Sequence, residues 1–198
     1  MRPAKLILAT AIALAGFAGS AQATGPTLIR VDIAGQSQTF ELKSSEPGVS
    51  RYEVIAQKWT QDGVTPTREI LAYPPHFTVQ PGESQAIKVL ARVPHAKTEG
   101  TYRLFVRAVE GGSLSFSVPV FILSTDKAAA PVITVHRDGG SLVVTNSGDK
   151  TELIAATRSA AGDKNAMLYV LPHSTGKLDA AADVTSVVSR DRREYKVQ

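Results

Sequence analysis

The sequence predicts an all-β protein, an antiparallel sandwich built in two domains. Three observations carry that expectation. Apolar residues alternate with a period of two, turn signals separate the alternating runs, and one small, polar, proline-ended stretch interrupts them. Phe40 and Leu42 alternate with Glu41 and Lys43, and Ile87, Val89, Ala91 and Val93 with Lys88, Leu90 and Arg92. Tyr102, Leu104 and Val106 alternate with Arg103, Phe105 and Arg107, and Leu114, Phe116, Val118 and Val120 with Ser115, Ser117 and Pro119. Successive side chains of a strand leave on opposite faces, so each run reads as a half-buried strand. Glu46-Pro47-Gly48, Gln61-Asp62-Gly63, Gln80-Pro81-Gly82-Glu83 and Gly111-Gly112 supply the turns between them.

The interruption is Ser124-Thr125-Asp126-Lys127-Ala128-Ala129-Ala130-Pro131, which suits an inter-domain connection. It divides a first domain, residues 24–125, from a linker at 126–131 and a small second domain at 132–198. The strand pattern restarts at Val132-Ile133-Thr134-Val135 and turns at Asp138-Gly139-Gly140. It continues through Leu142-Val143-Val144, turns again at Asn146-Ser147-Gly148-Asp149, and returns at Leu168-Tyr169-Val170-Leu171-Pro172. Lys177–Val188 is the best helical candidate, and its threonine and valine content makes it a poor one. A unit this small is marginal alone and is expected to lean on its neighbour.

Composition narrows the function classes. The chain has 198 residues, 43% hydrophobic and 20% charged, which argues against a coiled coil, a collagen or a disordered chain. It has no cysteine, which excludes disulfides, thiol catalysis and cysteine-ligated metals. A net charge of +4, spread along the chain, does not point to nucleic acid. Arg103 and Arg107 share a strand face with Phe105 between them, as on any solvated sheet face.

The first residues carry an export signal. Arg2 and Lys5 precede an apolar run from Leu6 to Ala18, and Ala21-Gln22-Ala23 follows as a small-x-small cleavage pattern. The apolar run is short for a bilayer crossing. Residues 1–23 are therefore expected to be a cleaved signal peptide and the mature chain to be periplasmic.

No catalytic or metal constellation emerges. His76, His95, His136 and His173 are scattered, and no partner stands at metal-ligand spacing. There is no nucleophile elbow, phosphate loop or zinc-protease motif. Asp62 and Asp138 precede glycine and read as turn formers. The expectation is a non-enzymatic protein without cofactor or metal.

Leu114–Val120 is more unusual: uncharged, apolar at alternate positions, with Pro119 inside it. Proline cannot donate a ladder hydrogen bond, so the segment reads as an edge strand or a bulge. A bare apolar edge invites another strand, from the same protein or from another chain.

Three further runs resemble a known family. Trp59-Thr60-Gln61-Asp62-Gly63, Pro74-Pro75-His76-Phe77-Thr78-Val79-Gln80-Pro81-Gly82-Glu83-Ser84-Gln85-Ala86-Ile87-Lys88-Val89 and Thr101-Tyr102-Arg103-Leu104 are similar to the periplasmic pilus chaperones of chaperone–usher systems. Ser117-Val118-Pro119-Val120-Phe121 resembles the end of that family's donor strand in its archaic branch. Gly139-Gly140-Ser141-Leu142, Asn146-Ser147-Gly148 and Tyr169-Val170-Leu171-Pro172 resemble its second domain. The resemblance implies two immunoglobulin-like domains, the second abbreviated, that lend an edge strand to pilin-like subunits and pass them to an outer-membrane usher. It implies Leu114, Phe116, Val118 and Val120 as the donor side chains, exposed in the client-free protein or covered by self-association.

Family members pair an arginine near the N-terminus with a donor-strand lysine to hold the client's terminal carboxylate. Arg30 stands at the arginine's place, but Pro119 stands at the lysine's, leaving Lys88 or Arg92 to supply the second cation. Arg30 with Lys88 is the expected anchor. The connection Ala108-Val109-Glu110-Gly111-Gly112 is short and lacks the family's E-x-P. The alternative expectation is an exported immunoglobulin-like interaction protein that has lost donor-strand activity.

Overall fold

The computed structural model describes residues 24–111 and 114–198, so the expected signal segment lies outside the described residues. The first domain runs β1 (Gly25–Pro26), β2 (Val31–Ile33), β3 (Ser37–Lys43), β4 (Ser50–Thr60) and β5 (Gly63–Pro66). It continues with β6 (Ile70–Tyr73), β7 (His76–Val79), β8 (Ser84–Ala91), β9 (Gly100–Glu110) and β10 (Phe116–Ile122). One sheet has the order β1-β3-β8-β6; the other has β2-β10-β9-β4-β5, with β7 also on β4.

The alternating runs become the two inner faces of this sandwich. Phe40, Leu42, Ile87 and Val89 from one sheet meet Tyr102, Leu104, Val106, Val118 and Val120 from the other, all buried. Each such side chain contributes roughly 1.5–3 kcal/mol by leaving water. The period-two pattern is thus the direct cause of the layering.

Between β1 and β2 the chain changes sheets. β1 pairs antiparallel with β3, whereas β2 pairs parallel with β10, and only at Val120, Phe121 and Ile122. Phe116–Pro119 of β10 pairs with β9 on one side. On the other side it has no strand partner among the described residues.

The second domain contains β11 (Ile133–Asp138), β12 (Ser141–Asn146), β13 (Glu152–Ser159), β14 (Gly162–Val170), β15 (Ser174–Asp179), β16 (Val184–Ser189) and β17 (Glu194–Lys196). Its sheets have the orders β11-β12-β15 and β14-β13-β16-β17. Val135, Leu142, Val144, Ile154, Val170, Val184 and Val187 form its core, smaller than the first. Lys177–Val188, the best helical candidate, forms parts of β15 and β16 instead, and the described residues contain no helix. Its branched residues Val184, Val187 and Val188 suit a pleated surface. The sequence pattern missed β13, where a register shift between Ile154 and Ala156 breaks the alternation, and the start of β14, where Gly162–Asn165 is an exposed edge without apolar residues.

The domains meet through aromatic rings and a polar seam. Trp59 and Phe121 of the first domain pack on Tyr169 of the second, with centroid separations of 5.4 and 6.1 Å. The Glu99 N–H donates to the Asp149 carbonyl at 2.9 Å, and the Thr151 N–H donates to Glu99 Oε1 at 3.2 Å. Thr98 Oγ1 donates to Asp149 Oδ1 at 2.5 Å, and the Thr175 N–H donates to Gln61 Oε1 at 3.0 Å. Gly148 sits against the linker: a Cβ there would lie 2.2 Å from the Ala130 carbonyl oxygen.

Candidate functional site

The unpaired part of β10 forms one wall of a cleft between the domains. Its volume is about 610 Å3, and its lining includes Ile29, Trp59, Arg103, Phe116, Pro119, Met167, Leu168 and Tyr169. The rim carries large exposed apolar groups from both domains, with Ile29 69% and Met167 80% exposed. Exposed apolar groups this large, clustered at one cleft beside an open strand edge, mark a binding surface.

The donor side chains do not behave as the sequence implied. Val118 and Val120 are 1% and 0% exposed and belong to the first domain's own core, and Phe116 is half-buried against it. The reason is register. Phe116, Val118 and Val120 stand opposite Val106, Leu104 and Tyr102, and directly opposed residues share a sheet face. Leu104 and its neighbours face the core, so the β10 residues follow. Leu114 is exposed and precedes the strand. The residues of opposite parity are Ser115, Ser117 and Pro119, and they line the cleft with Phe116 and Val118.

The expected cation pair is not assembled. Arg30 immediately precedes β2, whereas Lys88 projects to solvent from β8, in the other sheet, opposite Thr39 and Tyr73. Arg92 is likewise exposed just beyond β8, its N–H donating to the Glu69 carbonyl. Strands of opposite sheets point their exposed residues away from each other, so neither cation joins Arg30.

Arg30 is instead engaged within the protein. Its Nε lies 2.7 Å from Asp32 Oδ1, its Nη2 lies 3.9 Å from Glu99 Oε2, and its guanidinium lies over the Phe121 ring. Glu99 is 4% exposed, and burial raises its pKa above the usual carboxylate range. Hydrogen bonding from Thr151 offsets part of that cost at Oε1, whereas Oε2 has no hydrogen-bond partner among the described residues and faces the Arg30 guanidinium.

Arg103, which the sequence placed on a solvated sheet face, lies instead at the cleft. It stands on β9 directly opposite Pro119, with its guanidinium 3.8 Å from the Trp59 ring centroid and Nη1 donating to Ser117 Oγ at 3.1 Å. It is half-buried, and desolvation lowers its pKa. Its strand-mate Arg107 pairs with Glu53 on the solvated part of the sheet, as the alternation implied. The signal that set Arg103 apart was its position opposite the only proline of β10. Among the described residues no group of three His, Cys, Asp or Glu side chains is arranged to hold a metal ion.

No protein-family model and no curated protein matches the chain. Solved structures do. The chain is similar to the CsuC–CsuE chaperone–tip adhesion subunit pre-assembly complex from the archaic chaperone–usher Csu pili of Acinetobacter baumannii. The identity there is 19%, the match covers 89% of this chain and 98% of that one, and the TM-score is 0.71. It is similar to the Escherichia coli chaperone DraB at 12% identity, covering 88% and 93%, with a TM-score of 0.66. It is also similar to the Salmonella enterica SafA pilin–SafB chaperone complex at 14% identity, covering 87% and 92%, with a TM-score of 0.66. The match extends over both domains of the described chain, which therefore has the two-domain β-sandwich fold of the chaperone–usher pilus chaperones.

Proposed function

We propose that this protein is an exported, non-enzymatic chaperone that holds pilin-like subunits in its inter-domain cleft and delivers them to an outer-membrane usher. The observation that carries the reading is the open edge at Phe116–Pro119 beside an apolar cleft. An incoming subunit strand adds to β10 through main-chain hydrogen bonds, which tolerate many sequences. Its side chains then meet Ile29, Met167 and Leu168 across the cleft. With Val118 and Val120 committed to the core, β10 acts as a backbone template, and the apolar contacts come from the cleft walls. Leu114 and the outer part of Phe116 are the donor side chains left to reach a subunit. Arg30 stacks on Phe121, whose ring packs on Tyr169 of the cleft wall.

A second reading rests on that same burial. A domain whose alternate β10 residues serve its own core fits an immunoglobulin-like protein that has lost donor activity. Tagged mature protein purified from periplasm separates the two. The chaperone reading expects stoichiometric co-purification of a pilin-like chain that is degraded when the protein is absent. Recovery of the protein without such a chain, and unchanged subunit levels in its absence, would support the second reading.

A further inference from the structure

Met167 is the most exposed of the large apolar side chains, at 80%, and it lines the same cleft as the open edge of β10. The backbone directs it there. β14 has two residues, Ala166 and Met167, where β13 has one, Ala155. A bulge of this kind re-aims side chains. Leu168 packs on the second domain's core, while Met167 projects into the cleft. Its thioether is also chemically singular. The chain has no cysteine and one other methionine, Met1, so Met167 carries the single sulfur atom among the described residues. An exposed thioether at an apolar surface adapts to varied partners, and it is also a group that peroxides oxidise.

We propose that Met167 is a reversible oxidation site whose conversion to the sulfoxide weakens the cleft's hold on an extended peptide. The oxidant is a hydroperoxide, hydrogen peroxide being the simplest. The sulfur lone pair takes one peroxide oxygen: an S–O bond forms, the O–O bond breaks, and that oxygen's proton leaves with hydroxide as water. Sulfur is oxidised by two electrons and the peroxide is reduced by two. The flexible apolar side chain becomes polar and chiral at sulfur. A strand on β10 must then bury the new S–O dipole beside Ile29, Phe116 and Leu168, whose side chains donate no hydrogen bond. Burying a polar group without a partner is unfavourable, so affinity falls. Reversal takes two thiols of a reductase, which end as a disulfide while the oxygen leaves as water. This chain has no thiol, so the reductant is another protein. The inference rests on the cleft being the client site.

The test uses the mature protein and a short amidated peptide of alternating valine and threonine, which carries no sulfur. Trp59, the chain's single tryptophan, lines the cleft and reports peptide binding by its emission. Hydrogen peroxide should add one oxygen, mapped to Met167, and weaken peptide binding roughly tenfold. Methionine sulfoxide reductases A and B together should restore both mass and affinity, since each reduces one epimer. Met167→Leu, of similar volume, should bind the peptide and keep its affinity in peroxide. Saturating peptide should in turn slow oxidation of the unmodified protein, because the bound strand covers the sulfur. Unchanged affinity after oxidation, or an equal peroxide effect on Met167→Leu, would overturn the site and leave the cleft reading standing. So would a fall in melting temperature large enough to account for the lost binding. Failure of the untreated protein to bind the peptide would overturn both readings.

Discussion

The Arg30 guanidinium lies 4.1 Å from the centre of the Phe121 ring, and the other side of that contact chain is Tyr169 of the second domain. Arg30 thereby ties the start of β2 to the domain junction, and it faces Oε2 of buried Glu99, the oxygen without a hydrogen bond. Arg30→Ala should lower unfolding stability by about 1–3 kcal/mol, since it strips a desolvated group of its partner. The sign with pH follows from Glu99. Its folded pKa is raised by burial, so its charge costs stability as pH rises through that value, and removing Arg30 enlarges the cost. The penalty in urea unfolding should therefore be greater at neutral pH than at acid pH. An unchanged stability curve with lost subunit recovery would return Arg30 to the role of client anchor.

The β10 register makes a parity prediction. Val118→Ala should destabilise the isolated protein by roughly 2 kcal/mol, because it opens space between Leu104 and the facing sheet. Ser117→Ala, on the opposite face, should leave folding unchanged and disturb only the Arg103 contact. Denaturant unfolding of the two variants side by side reads the contrast. The reverse order of stabilities would place the apolar set outside the core.

That register is also the clearest boundary between what the sequence told and what it did not. Tyr102, Leu104 and Val106 were legible as buried because Arg103, Phe105 and Arg107 alternate with them, and charge marks the wet face. Phe116, Val118 and Val120 alternate with serine and proline, which mark no face, so the pattern fixed their common side without saying which side it was. Cross-strand pairing with β9 decides it. The sequence placed Arg103 on a wet face for a related reason. Its face is solvated along the rest of β9, and only the packing of Tyr169 from a distant part of the chain converts that spot into a cleft. Lys88 does not meet Arg30 because sheet membership, not proximity in sequence pattern, sets which cations meet.

His95 links three segments and gives a pH-dependent prediction. Its Nδ1 lies 2.7 Å from the Leu123 carbonyl oxygen and its Nε2 lies 2.7 Å from that of Gly35. A neutral imidazole has one N–H, so only the protonated ring donates to both carbonyls. These two contacts, Leu123 first, raise the pKa above the usual histidine value. The stabilising contribution is then full below the unfolded pKa and is lost as pH rises through the folded one. The melting-temperature gap between the unmodified protein and His95→Gln should be widest below the ordinary histidine pKa and should narrow as pH rises through the raised one. A gap that does not vary with pH would show that the ring is held neutral.

Ile29 and Met167 approach the cleft from different domains and are the most exposed of its large apolar groups, at 69% and 80%. Groups so exposed contribute little to folding, so Ile29→Asp and Met167→Glu should each change stability by no more than about 0.5 kcal/mol. Both should cut recovery of a pilin-like subunit sharply, because a carboxylate forced against an apolar strand must be desolvated without a partner. The two changes together should abolish it. Control substitutions at Val49 and Val109, exposed valines outside the cleft lining, should leave recovery intact. If the control variants lose the subunit equally, recovery depends on general surface apolarity; if the cleft variants keep it, the subunit is bound elsewhere. The expected result is loss confined to the cleft pair with unfolding curves that overlay those of the unmodified protein, which assigns Ile29 and Met167 to capture and not to the fold.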